Sequence, residues 1–144
     1  AIGMMVELPS VVETMEAFAA EADFFTIGTN DLVQYMLGVD RSNKRVADYY
    51  RPEHPSVLRT LARMVNIAAD HGKPISVCGE MGHDGAMIPF LLGIGIRRLS
   101  IDPQFMPAVH QCIAGLAIDP CRDHARMLLS AGSIDAVQKM LAEF

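Results

Sequence analysis

No apolar run in the chain reaches the roughly 20 residues needed to cross a membrane, and no basic stretch leads into an apolar one at the N-terminus, as a secretory signal would. Cysteine is scarce. Cys78, Cys112 and Cys121 make neither an even set for disulfides nor a C-x-x-C metal pair, so reduced thiols are expected. Together these absences point to a cytoplasmic protein without a membrane partner. Positive charge is also short, with 12 Lys and Arg against 17 Asp and Glu and a net charge of −5. The basic residues are scattered rather than striped along one face, which argues against a nucleic-acid partner. An anionic small substrate would need positive groups gathered locally. Low-complexity segments are lacking too. What the chain has in quantity is apolar side chains, 51% of its 144 residues, enough for the core of one globular domain.

Those apolar residues fall into short runs bounded by Gly or Pro, alternating with longer segments of helical period. This is the pattern of βα units around a parallel sheet. The runs predict strands over Ile2–Leu8, Phe24–Gly28, Ile75–Cys78 and Arg98–Ile101. Helices are predicted over Ser10–Ala20, Asp31–Leu37, Ser56–His71, Ala86–Leu92 and Pro107–Ala117. In the first, Ser10 after Pro9 reads as an N-cap with Glu13 as its capping-box partner. In Ser56–His71, Leu58, Leu61, Val65 and Ala68 share one face, and Gly72-Lys73-Pro74 stops the helix. Pro120–Phe144 reads as two helices separated by Ala131-Gly132-Ser133.

The fold class expected is therefore α/β with four βα units plus terminal helices. Barrels of this type close with about eight units, so the chain is expected to be half a barrel. It opens at Ala1 directly before a strand, as a piece cut from a longer barrel would. The expected layout is part of one barrel domain truncated on its N-terminal side, with βα units over 1–118 and C-terminal helices over 119–144. A half barrel uncovers apolar faces and strand edges, which predicts self-association, and ten methionines offer adaptable surface to cover them.

Ligands in parallel α/β folds bind at the C-terminal ends of the strands. Three ends carry candidate chemistry: Glu7 in Met5-Val6-Glu7-Leu8-Pro9, the run Gly28-Thr29-Asn30-Asp31, and Cys78-Gly79-Glu80. Glu7 and Asp31 could give two hard oxygens to one Mg2+, an ion that commonly takes one or two carboxylates and completes its shell with water and substrate oxygens. The same residues could instead be a buried ion-pair partner (Glu7) and a helix N-cap (Asp31). Arg41, ten residues after Asp31, can return to the same rim, where its planar fork suits phosphate or carboxylate. Alternatively it is a surface side chain paired with Asp40 or Asp48. Cys78 ends an apolar strand before a Gly that allows close approach to the backbone, although a Cys so placed is often a small core residue.

The segment from Asp23 through Gly28-Thr29-Asn30-Asp31-Leu32-Val33-Gln34-Tyr35 to Asp40-Arg41 resembles the signature of the PEP-utilising enzymes. That family includes enzyme I of the bacterial phosphotransferase system, pyruvate phosphate dikinase and PEP synthase. Met4-Met5-Val6-Glu7-Leu8-Pro9 is similar to its metal-ligand strand, and Val77-Cys78-Gly79-Glu80-Met81 to its catalytic-cysteine strand. The resemblance covers roughly Ile2 to Ser100 and fades beyond. Cys-Gly-Glu-Met and the stretch Tyr50-Arg51-Pro52-Glu53-His54-Pro55 look most like enzyme I or its nitrogen-related paralogue, while PEP synthase is similar over Gly38-Val39-Asp40-Arg41, so a barrel fragment of PEP synthase or pyruvate phosphate dikinase stays open as the alternative. One departure lies at Gly82-His83-Asp84-Gly85, where enzyme I usually has Ala-Gly-Asp-Pro. It leaves His83 either as a neighbour that tunes the thiol or as a tolerated loop substitution.

The resemblance implies the C-terminal half of a (β/α)8 barrel that binds phosphoenolpyruvate and Mg2+. It implies phosphoryl transfer to a histidine on a separate upstream domain, release of pyruvate, and onward transfer to a histidine-containing phosphocarrier protein. Homodimers are implied as well. Glu7 and Asp31 would hold Mg2+, Asn30, Asp31 and Arg41 would hold the substrate, and Cys78 would hand a proton to the enolate of pyruvate. None of the five histidines has the family's acceptor context, so the chain alone is expected to be inactive. Two other classes stay open: a non-catalytic module for dimerisation or regulation, and a metal-dependent lyase barrel acting on a pyruvate enolate. The second accounts for Mg2+ but not for Gly-Thr-Asn-Asp together with Cys78.

Overall fold

The computed structural model describes the whole chain, Ala1–Phe144. At its centre lies a sheet of four strands, β1 (Gly3–Val6), β2 (Phe24–Gly28), β3 (Ile75–Cys78) and β4 (Leu99–Ser100), all parallel and in sequence order. Every crossover moves one strand in the same direction, and right-handed crossovers of that kind carry the helices to one face. Barrels are wound this way, whereas doubly wound sheets reverse their strand order. After β1 come α1 (Pro9–Glu13) and α2 (Met15–Glu21). β2 leads into α3 (Thr29–Leu37) and, past a long loop, α4 (Pro55–Asp70). α5 (Ile88–Gly93) follows β3, and α6 (Met106–Ala114), α7 (Ile118–Ser130) and α8 (Ile134–Glu143) follow β4. No helix is long and apolar enough to cross a membrane.

Strand alternation divides the sheet into two unlike faces. Val6, Phe25, Ile27 and Val77 are fully buried in one core of 26 residues that they share with Met15, Leu58, Leu61 and Met64 of the helices. Each such side chain contributes about 1.5–3 kcal/mol by leaving water. The alternate residues, Met5, Phe24, Thr26, Ser76 and Cys78, take the other face, where the register sets Met5 beside Thr26 and Thr26 beside Ser76. The chain covers this face only in part, and Met5 stays 50% exposed. Parallel sheets are ordinarily covered on both faces.

Local signals account for most boundaries. His54 caps α4 by accepting from the Ser56 N–H at 3.1 Å, with Pro55 in the first turn, where its missing N–H costs nothing. The expected apolar face of α4, Leu58, Leu61, Val65 and Ala68, is buried. The terminal helices join the same core through Ala125, Leu128, Ala131 and Val137. A Cβ on Gly93 would run into the Cys121 carbonyl oxygen, so only glycine lets α5 and α7 approach this closely. From α4, Arg59 donates to the Leu129 and Ala131 carbonyls at 3.2 and 2.6 Å, partnering groups that the end of α7 leaves open.

Several expectations are corrected. The predicted helix Ser10–Ala20 is two helices broken at Thr14, whose ψ of 11° departs from helical values. There is no capping box: the N-cap lies two residues earlier, at Leu8, with Pro9 inside the first turn, so Ser10 is not in the capping position. Glu13 instead receives both arms of Arg63 at 2.6 and 3.0 Å. That hydrogen bonding and the Arg63 charge hold its carboxyl below the usual range. The outer strands are shorter than predicted. β1 ends at Val6 because Leu8 already begins the turn into α1, and β4 keeps only Leu99 and Ser100, the residues that find partners on β3.

Candidate active site

The register aligns the C-terminal ends of the strands. Val6 pairs with Ile27, Gly28 with Cys78 and Cys78 with Ser100, so Glu7, Gly28, Cys78 and Ser100 share one level of the rim. Glu7 is half-buried and lies over the end of β2: a Cβ on Gly28 would come within 2.9 Å of its Oε2. A side chain at the end of β2 would press on that carboxylate and require it to shift.

From Gly28 the chain enters α3 with no side-chain cap, and Gly28 itself is the N-cap. Asp31 is therefore not a cap but an acid in the first turn, where the helix dipole favours negative charge. Thr29 donates its hydroxyl to the Cys78 carbonyl at 2.9 Å, and Asn30 Oδ1 accepts the Glu80 N–H at 3.0 Å. These two bonds fasten the start of α3 to the end of β3. They need Gly79, whose φ of +106° and approach to Thr29 Oγ1 and Asn30 Oδ1 admit no side chain. The Cys78 thiol lies on the less covered face and donates to the Ile27 carbonyl at 3.4 Å, so it is not the core residue its neighbours in sequence allow.

Arg41 arrives from the loop after α3. Gly38 ends that helix in the left-handed conformation at φ +63°, and the Arg41 N–H donates to Gln34 Oε1 at 3.3 Å. Its side chain pairs with neither Asp40 nor Asp48. Asp40 is occupied by the Ser42 hydroxyl and N–H at 2.7 and 2.9 Å, bonds that hold its carboxyl below the usual range. The Arg41 Nη1 instead donates to Glu80 Oε1 at 2.9 Å. The loop is held a second time where Tyr50 donates its hydroxyl to the Asn30 carbonyl at 3.3 Å. Burial raises the Tyr50 phenol above its ordinary pKa; Arg41 opposes that shift, while Glu80 and Asp31 add to it.

Tyr50 bonds the Asn30 carbonyl, Asn30 holds the Glu80 N–H and Glu80 holds Arg41, while Asp31, Cys78 and Glu7 stand at the same strand ends. Glu80 and Tyr50 were legible only as members of motifs, since nothing in their spacing marks them as partners of Arg41 and Asn30. His83 packs its ring face to face on Phe105, with centroids 3.9 Å apart and planes 7° from parallel. The grooves of about 380–430 Å³ elsewhere on the surface are lined by none of Glu7, Asn30, Asp31, Arg41 or Cys78. At the rim itself a recess of about 20 Å³ is lined by Thr29, Asn30, Tyr50 and Glu80.

Glu7 and Asp31 make no hydrogen bond or ion pair inside the chain, and nowhere do three or more His, Cys, Asp or Glu side chains gather into a metal site. Two unengaged, half-buried carboxylates at adjacent strand ends, one of them cradled on Gly28, suit a hard divalent cation that draws its remaining ligands from water and substrate.

The family described as PEP-utilising enzyme, PEP-binding domain, matches residues 1–118. Multiphosphoryl transfer protein 1 of Escherichia coli strain K12 is 40% identical over 143 residues, which is 99% of this chain and 17% of that protein. The phosphoenolpyruvate-protein phosphotransferase of Priestia megaterium is 40% identical over 136 residues, 94% of this chain and 24% of that protein. Its namesake in Bacillus subtilis strain 168 is 37% identical over 142 residues, 99% and 25% respectively. The chain thus spans a quarter or less of the length of these curated relatives. A rim assembled from the Glu7, Gly28–Asp31 and Cys78–Glu80 segments, within a match of this extent, shows that the chain belongs to the PEP-utilising enzymes through their PEP-binding domain.

Proposed function

We propose that this chain is the C-terminal half of the barrel in a phosphoenolpyruvate-protein phosphotransferase, a cytoplasmic enzyme that passes the phosphoryl group of PEP to a histidine on an upstream domain. The observation that carries this reading is the convergence of Asn30, Asp31, Arg41 and Cys78 at one rim of a family-matched sheet. Glu7 and Asp31 would hold Mg2+, which when bound supplies positive charge against the phosphate and carboxylate of the substrate. Arg41 presents guanidinium N–H groups to the phosphate oxygens and, with Asn30, holds the phosphorus in line with the acceptor nitrogen. As the bridging P–O bond breaks and the N–P bond forms, the electron pair left on oxygen makes the enolate of pyruvate. Cys78 then gives its thiol proton to the terminal carbon of that enolate, and solvent restores the proton to sulfur. A thiol suits this step because its bond to the Ile27 carbonyl is a weak one that the proton can leave.

The test is to incubate the full-length protein with Mg2+ and PEP labelled in the phosphoryl group. Label should appear on a histidine, stable to base and labile to acid, with one pyruvate released per phosphohistidine. Pyruvate without protein labelling would sink the reading in favour of a small-molecule acceptor.

The less covered face of the sheet bears on association. With Met5 50% exposed and Phe24 39% on that face, and Ile2 77% exposed just before β1, the isolated 144-residue chain is expected to self-associate through that face and the β1 edge. Sedimentation at rising concentration should show dimers or larger species. A clean monomer at high concentration would contradict this.

A further inference from the structure

We propose that Glu80 is a positioning residue for Arg41, holding one arm of the guanidinium so that its remaining donors stay at the rim beside Asn30 and Asp31. The inference rests on the functional reading above and deepens it at the residue that meets the substrate anion. Glu80 projects from a backbone that cannot wander. Its own N–H is bonded to Asn30 Oδ1 at 3.0 Å, and the preceding Gly79 is seated against Thr29 and Asn30 with φ +106°. Thr29 ties the same turn to the Cys78 carbonyl at 2.9 Å. The backbone that carries the carboxylate is therefore fixed at the end of β3, and from there Glu80 receives a side chain from a loop 39 residues earlier in the sequence.

Arg41 needs such a post. It lies on an exposed loop, and a long flexible side chain there samples many rotamers unless something selects one. The only side-chain bond it makes is Nη1 to Glu80 Oε1 at 2.9 Å, which leaves the other guanidinium N–H groups without partners inside the chain. One arm is held and the rest of the fork is available to an anion. The second clasp, from the Tyr50 hydroxyl to the Asn30 carbonyl, fastens the far end of the same loop to α3. An ion pair whose side chains are 40% and 65% exposed adds little to folding stability. The consequence of losing it should be seen in where Arg41 points and not in whether the protein folds.

The experiment compares Glu80→Ala, Glu80→Gln and Arg41→Ala in the full-length enzyme, reading KM for PEP and kcat separately. Arg41→Ala is expected to raise KM by more than about tenfold. Glu80→Ala should raise it by about three- to tenfold with kcat within about twofold. Glu80→Gln should recover most of the loss, because its amide oxygen still accepts from Nη1. The thermal midpoint should not move. On the 144-residue chain itself, nitrogen-15 relaxation at Arg41 Nε should report an ordered side chain in wild type and Glu80→Gln, and a mobile one in Glu80→Ala. If Arg41→Ala raises KM but Glu80→Ala leaves it unchanged or lowers it, or if Arg41 stays equally ordered without Glu80, the positioning role is overturned and the functional reading stands. An unchanged KM in Arg41→Ala overturns both.

Discussion

Replacing Cys78 by alanine in the full-length enzyme is expected to slow pyruvate formation by about 10²–10⁴-fold, the contribution typical of a well-placed general acid. The thiol lies at the C-terminal rim on the less covered face of the sheet, level with Gly28 and next to the Thr29–Asn30 turn. It bonds only a carbonyl oxygen of the neighbouring strand, so its removal leaves the carboxylates and Arg41 in place. Binding of PEP and Mg2+ should change little. In the proposed reaction phosphoryl transfer precedes protonation, so one turnover of histidine phosphorylation should survive in the mutant while release of pyruvate lags behind it. Rapid-quench measurement of phosphohistidine and pyruvate in the same samples separates the two steps. If pyruvate keeps pace with phosphohistidine at the wild-type rate, under conditions where chemistry limits, then Cys78 is not the proton donor.

Loss of either rim carboxylate should be comparably severe. Asp31→Asn and Glu7→Gln are each expected to lower kcat/KM by about 10²–10³-fold at fixed Mg2+, corresponding to the several kcal/mol that a bound cation supplies to phosphoryl-group chemistry. Each should also raise the Mg2+ concentration needed for half-maximal rate. Two ligands of one ion act as a unit, so the double mutant should be little worse than the worse single mutant, a non-additivity that distinguishes shared ligation from two independent roles. Neither carboxylate is paired within the chain, so Glu7→Gln should fold with an unchanged thermal midpoint and Asp31→Asn should lose only the small contribution of its charge at the start of α3, about 0.3–1 kcal/mol. Additive losses, or an unaltered Mg2+ requirement, would separate Glu7 and Asp31 from a common ion.

The residues of the rim were legible in the sequence because strand ends carry their own punctuation. β2 and β3 occupy Phe24–Gly28 and Ile75–Cys78, the bounds that apolar runs closed by Gly predict, and the chemistry follows immediately in Thr29-Asn30-Asp31 and Gly79-Glu80. Helix α4 was equally plain, since its apolar stripe repeats over four turns and Pro55 and Gly72 bracket it. Where the local signal was a single pair of residues it failed. Ser10 and Glu13 have capping-box spacing, yet Pro9 starts the helix with Leu8 as its N-cap, two residues before Ser10, and Arg63, 50 residues away, takes the carboxylate.

Read by itself, then, the sequence determined a parallel α/β fold with helices of known place, and it set which residue types stand at each strand end. These are consequences of periodicity and of backbone preferences that act over a few residues. Tertiary structure alone decided which partners those residues meet. Arg41 finds Glu80 rather than its neighbour Asp40, Tyr50 reaches the Asn30 carbonyl, Glu7 rests over Gly28, and Cys78 comes to lie on the face away from the core. Those outcomes depend on strand register and on close approaches at Gly28 and Gly79, which bring together groups 20 to 50 residues apart. A side chain's own sequence neighbourhood carries no record of distances set by the packing of the whole sheet.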